Sequence, residues 1–166
     1  MVDLMAELTD EEFAASNNKT HITSCKVKKD DMSMNVEIFC EEFPCVMPIE
    51  EFKERVFQKF GVKKINLSFK YDNFKLTTEN EEQFYSCICE IVCSEKQSLS
   101  NILTGSTAKI LDDVLEISLR FGGEKTLTDQ KVNEYIENII YTTFNKSIKV
   151  IFKDNEKDEN DLLKRL

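Results

Sequence analysis

The stretch from Pro48 to Tyr71, PIEEFKERVFQKFGVKKINLSFKY, changes its apolar period from helical to extended within a few residues, and that change decides the fold class. Ile49, Phe52, Val56, Phe57 and Phe60 recur at spacings of three and four, the pattern of a helix with one broad apolar face. Pro48 suits a first helical position, and Gly61 suits the residue just past the last turn. Ile65, Leu67, Phe69 and Tyr71 then alternate with polar residues, which predicts a half-buried strand.

Working outward, residues 20–29 and 33–40 read as two more strands. Ile22, Ser24, Lys26 and Lys28 alternate against Thr23, Cys25 and Val27. Met34, Val36 and Ile38 alternate against Asn35, Glu37 and Phe39. Lys29-Asp30-Asp31-Met32 supplies a turn, so an antiparallel hairpin is expected. Residues 19–77 thus form a β-β-α-β module.

Residues 78–154 read as a second module, α-α-β-α-β. Its first helix spans 78–95, with Thr78 as cap and Phe84, Ile88, Ile91 and Val92 inward. A short helix follows near Leu99 to Leu103 and ends at Gly105. Val114 to Phe121 is a strand with Leu115, Ile117, Leu119 and Phe121 on one face, and Gly122-Gly123 is a turn. Val132, Tyr135, Ile136, Ile139, Ile140 and Phe144 mark the next helix, and Ile148, Val150 and Phe152 the last strand. The fold class is therefore α+β, two small modules with helices packed on small mixed sheets. An echo at an offset of 83 residues links Phe52 with Tyr135, Val56 with Ile139, Leu67 with Val150 and Phe69 with Phe152. One helix packed on a small sheet fixes similar spacings in both modules, and this accounts for the echo.

Residues 1–18 are expected to hold a short N-terminal helix or arm, capped by Thr9 with Glu12 three residues on. Residues 155–166 are almost wholly charged and read as the start of a linker, so the chain is expected to continue.

The composition limits the chemistry. The net charge is −9 and the pI about 4.8, opposite to the basic footprint of most nucleic-acid-binding domains. Lysines nevertheless cluster at Lys26, Lys28 and Lys29 and at Lys63 and Lys64. His21 is the single histidine, and Cys25, Cys40, Cys45, Cys87, Cys89 and Cys93 include no C-x-x-C pair, so neither a zinc site nor a Cys/His catalytic pair is expected. There is no G-x-x-x-x-G-K-[ST] or G-x-G-x-x-G loop. The acidic pairs Glu11-Glu12, Asp30-Asp31, Glu41-Glu42, Glu50-Glu51, Glu81-Glu82 and Asp112-Asp113 read as solvated faces. No catalytic, cofactor-binding or metal-ligating residue is therefore assigned, and no cofactor or small-molecule substrate is expected. Without a membrane-length apolar run or signal-peptide pattern, a cytoplasmic location is expected.

Several runs at the joints carry a family resemblance. They are Lys19-Thr20-His21-Ile22-Thr23, Val36-Glu37-Ile38-Phe39, Met47-Pro48-Ile49 and Ile65-Asn66-Leu67-Ser68-Phe69. Phe84-Tyr85-Ser86-Cys87, Ser98 to Leu103, Ala108-Lys109-Ile110, Val114 to Ile117, Tyr141 with Phe144, and Ile148-Lys149-Val150 continue the series. In this order they resemble the N-terminal, non-catalytic region of PolC-type bacterial DNA polymerase III alpha subunits, over roughly residues 19–154.

The resemblance implies a second module similar to an incomplete type II KH fold. It also implies a role in docking the polymerase to replisome proteins, with the clamp-loader tau subunit the first partner. The parent enzyme would be a DNA-directed DNA polymerase with 3′-5′ exonuclease, whose catalytic domains lie outside this chain. A KH module grips nucleic-acid backbone with a G-x-x-G loop, which this chain lacks. Two other readings stay open: weak single-stranded nucleic-acid contact through Lys26, Lys28, Lys29, Lys63 and Lys64, and a tandem β-grasp adaptor of the ubiquitin-like or PB1 kind. The β-grasp reading expects strands 34–40 and 65–71 paired in parallel at the sheet centre, with a fifth strand in each module.

Overall fold

The computed structural model describes residues 19–44 and 49–155. The expected N-terminal helix, Cys45 and the charged segment 156–166 lie outside these. The chain divides into two compact units, at Phe74 and Lys75. Sequence reading drew this boundary between residues 77 and 78.

In the first unit, β1 (Thr20–Lys28) and β2 (Ser33–Cys40) form the antiparallel hairpin. Helix α1 (Ile49–Phe60) leads to β3 (Lys64–Lys70), which lies parallel to β2. Gly61 sits at φ +61 and its N–H donates to Phe57 O at 3.0 Å, which stops α1. Among the described residues, the sheet order β1-β2-β3 makes β3 an edge strand of a three-stranded sheet, not the centre of a larger one.

Met34, Val36, Ile38 and Cys40 are buried on one face of β2, and Phe52 and Val56 are buried on α1. These, with half-buried Ile65, Leu67 and Phe69, are the core of the unit. Phe43 closes one end, edge-on to Tyr71 at 5.4 Å and to Phe74 at 4.8 Å.

A bulge corrects one expectation. Regular alternation puts Ile22 on the face of Ser24, Lys26 and Lys28. The β1–β2 register shifts between Ile22 and Ser24, so Ile22 pairs with Ile38 while Cys25 pairs with Val36. Ile22 therefore shares a sheet face with Cys25 and Val27, which stay exposed on this edge strand, and the lysines stand on the other face.

The second unit contains α2 (Glu81–Glu95), a single 3₁₀ turn over Gln97–Leu99, and α3 (Ser100–Leu103). Next come β4 (Thr107–Leu111), β5 (Val114–Leu119), α4 (Glu124–Asp129), α5 (Val132–Phe144) and β6 (Lys149–Asp154). Strand order is β4-β5-β6, antiparallel then parallel, the same arrangement as in the first unit.

Strand β4 and helix α4 are two elements that the sequence pattern does not predict. Helix α2 starts later than expected. Thr78 is not its cap; Asn80 takes the position but makes no side-chain cap bond. Its amide instead accepts from Thr77 N–H and donates to Lys75 O, both at 2.9 Å. Strand β5 stops at Leu119, so Phe121 is 69% exposed instead of facing inward, with the Arg120 guanidinium 5.0 Å above its ring.

The core of the second unit gathers Leu115, Ile117 and Leu119 from β5, Val150 and Phe152 from β6, and apolar residues of both long helices. Phe84 on α2 meets Phe144 on α5 with ring centroids 4.8 Å apart.

Candidate docking faces

Each unit buries one face of its sheet and leaves the other open. On the first sheet, the rows of the open face across β1, β2 and β3 are Lys28–Ser33–Lys64, with Ser33 itself buried, Lys26–Asn35–Asn66, Ser24–Glu37–Ser68 and His21–Phe39–Lys70. The Asn66 amide donates to Asn35 Oδ1 at 2.7 Å. Lys70 Nζ lies 2.8 Å from Glu37, whose carboxylate also accepts from the Thr23 hydroxyl at 3.0 Å. Those two partners hold the Glu37 carboxyl below the ordinary carboxylate range, the Lys70 bond first.

The open rows of the second sheet include Leu111–Val114–Lys149 and Lys109–Glu116–Ile151. Leu111 is 60% and Ile151 41% exposed. Lys153 pairs with Glu116 at 2.6 Å, as Lys70 does with Glu37, and the two lysines are again 83 residues apart. The glutamates are 79 residues apart, so only the lysine of each pair follows the echo.

His21 is exposed, 2.9 Å from Glu41 and stacked on Phe39 with centroids 6.4 Å apart. The acidic pairs are dispersed among local partners. Glu50 meets Lys53, Glu51 meets Arg55, and Asp31 accepts from Ser33 N–H. Glu81 accepts from Ile110 N–H and so ties the start of α2 to β4.

Gly123 adopts φ +119 ahead of α4. Asp154 accepts from Glu124 N–H at 2.9 Å, so a carboxylate of the chain already occupies that helix start, as the turn reading of Gly122-Gly123 implies. Cys25 is exposed and Cys89 half-buried; desolvation raises both thiols above their ordinary pKa, the reverse of an activated nucleophile. Among the described residues, no group of three or more His, Cys, Asp and Glu is placed to hold a metal ion. An open depression of about 640 Å³ in the second unit is lined by Lys75, Glu81, Asp112, Asp113 and Lys146 among others, with charges of both signs. No described helix is long and apolar enough to cross a membrane.

The connection between α4 and α5 passes through Gln130 and Lys131, with Lys131 at φ 56. It carries no glycine, so the G-x-x-G backbone clamp has no counterpart there.

No family model and no curated protein matches the chain. Among solved structures it is similar to CdsD, a structural protein of the type III secretion system of Chlamydia trachomatis. The identity is 10%, the match covers 99% of each chain, and the TM-score is 0.25. At that score the likeness carries no argument.

Proposed function

We propose that this chain is the N-terminal, non-catalytic interaction region of a PolC-type replicative DNA polymerase III alpha subunit, docking the enzyme to other replisome proteins in the bacterial cytoplasm. The observation that carries this reading is where the resembling runs lie. Thr20 to Thr23 opens β1, Val36 to Phe39 lies in β2, Ile49 opens α1, and Ile65 to Phe69 lies in β3. Phe84 to Cys87 lies in α2, Ala108 to Ile110 in β4, Val114 to Ile117 in β5, Tyr141 and Phe144 in α5, and Lys149-Val150 in β6. The strand β4 that holds Ala108 to Ile110 is not in the element order expected of that region; the other runs fall in elements that are. The open sheet faces, with Lys70 paired to Glu37 on the first and Lys153 to Glu116 on the second, supply surface for a protein partner.

Two tests bear on the proposal. The reading frame beyond Leu166 should encode the rest of a polymerase. The purified chain, immobilised and exposed to the clamp-loader tau subunit, primase and single-strand-binding protein, should bind at least one in the micromolar range. Absence of binding to every one of them, or an unrelated downstream sequence, overturns it.

A further inference from the structure

We infer that the open face of the first sheet binds single-stranded nucleic acid. Sequence alone offers two separate lysine groups in an acidic chain. The ladder register joins them: Lys28 and Lys64 flank Ser33 in one row, and Lys26 stands in the next. Rows on one face lie about 7 Å apart and the three strands span about 10 Å, so the lysines line one end of a strip roughly 10 by 20 Å. Lys29 and Lys63 adjoin that end, where the Lys63 N–H donates to Met32 O in the hairpin turn at 2.8 Å.

The charge is available to a ligand. Glu37 is the single carboxylate in the four rows; it is paired with Lys70, and Lys26 in the adjacent row adds a weaker attraction. Lys26, Lys28, Lys29, Lys63 and Lys64 form no salt bridge among the described residues, although Asp30 and Asp31 lie in the turn beside them. The net acidity of the chain also lies elsewhere. Residues 19–74 hold ten Lys and Arg against nine Asp and Glu, whereas the remaining residues hold twelve against twenty-two.

The other end of the strip offers half-buried Phe39 beside the exposed His21 ring, nearly parallel at 15° with centroids 6.4 Å apart, and His21 in turn lies 2.9 Å from Glu41. Lysines for phosphates at one end and a flat ring pair for a base at the other are the two parts of a single-strand site. A duplex fits less well, because its bases are already stacked and, among the described residues of the first unit, no helix projects from this face to enter a groove. The Asn35 and Asn66 amides lie between the two ends, within reach of sugar or base edges.

The test is fluorescence anisotropy with labelled twelve-nucleotide oligo-dT and oligo-U, titrated with the whole chain. Contact with three or four phosphates predicts a salt slope of about −2 to −3, so binding weakens roughly 20- to 50-fold between 50 and 200 mM salt. Changing Lys26→Glu, Lys28→Glu and Lys64→Glu together should weaken binding at least tenfold, with circular dichroism unchanged. Lys64→Gln alone should shallow the slope by about 0.7. Lys125→Glu with Lys131→Glu, in the second unit, should change nothing beyond a small general charge effect. A flat titration at low salt, binding that survives the triple change, or displacement by oligo-glutamate as effective as by oligo-dT overturns the inference. The last outcome would assign the face to an acidic protein segment. No replisome protein enters the assay, so its result is independent of the proposed polymerase context.

Discussion

Replacing Phe84 by alanine removes one of the two rings at the centre of the second unit. Phe84 is completely buried and its ring lies 4.8 Å from that of Phe144, inclined by 60°. Phe→Ala at such a site costs about 3–5 kcal/mol, and the lost aromatic pair accounts for about 0.5–1.5 kcal/mol of that. A unit of this size is held by roughly 4–12 kcal/mol in total, so the substitution removes a large share of it. At about 4–8 °C per kcal/mol, its melting temperature should fall by roughly 15–30 °C. Phe84→Leu keeps most of the apolar volume and should cost under about 2 kcal/mol.

Urea denaturation of the three proteins gives the free energies, and amide exchange read by mass spectrometry gives their location. Exchange should accelerate in β5 and α5, which share the Phe84 core, while β2 in the first unit keeps its protection. An alanine variant within 1 kcal/mol of the parent protein would refute the reasoning, because it would mean that the ring fills no essential space. Equal loss of protection in β2 would refute the placement of Phe84 in the core of the second unit.

Two further predictions concern buried polar groups in the second unit. The Tyr85 hydroxyl bonds to Ser106, whose own hydroxyl donates to Leu103 O, and desolvation by burial is the main cause that raises the phenol above its ordinary value of 10. The folded state therefore holds that proton more tightly than the unfolded chain does. The associated stability is full below about pH 10 and is lost as pH rises beyond it, so the urea midpoint should fall more steeply between pH 9 and 11 than in Tyr85→Phe. Identical slopes would contradict this. Glu137 accepts from Val150 N–H at 3.0 Å and from Lys149 Nζ at 3.3 Å. Glu137→Ala should cost about 1–2 kcal/mol in the same denaturation assay by stranding the Val150 donor, and Glu137→Gln, which keeps an acceptor, should cost less.

Which elements the sequence disclosed follows from how much apolar signal each one carries. Helix α1 and strands β2 and β3 have several apolar residues at one strict period, and all three are legible. Strand β4 is Thr107-Ala108-Lys109-Ile110-Leu111, in which small Ala108 and an outward Leu111 blur the alternation. Helix α4 is six residues long with only Leu127 buried, and one apolar residue defines no period. The bulge in β1 is invisible for a different reason: it depends on pairing with β2, which the strand's own sequence does not encode. The five lysines are legible in the sequence as a candidate nucleic-acid contact, but not their arrangement on one sheet face. Lys28 and Lys64 are far apart in the chain, and only the β1–β2–β3 register brings them to the same row.

The extra residue in β1 also sets what the strand tolerates. Around Thr23, chain length and side-chain facing are uncoupled, because two residues of β1 stand against one step of β2. Excising Thr23 would leave Ile22 opposite Ile38 and Ser24 opposite Glu37, with every other side chain in its present orientation. Excising any one residue between Cys25 and Lys28 has no such slack to absorb it. The remainder of the strand would then present the wrong parity, trading hydrocarbon for ammonium on the side that packs against Met34 and Val36.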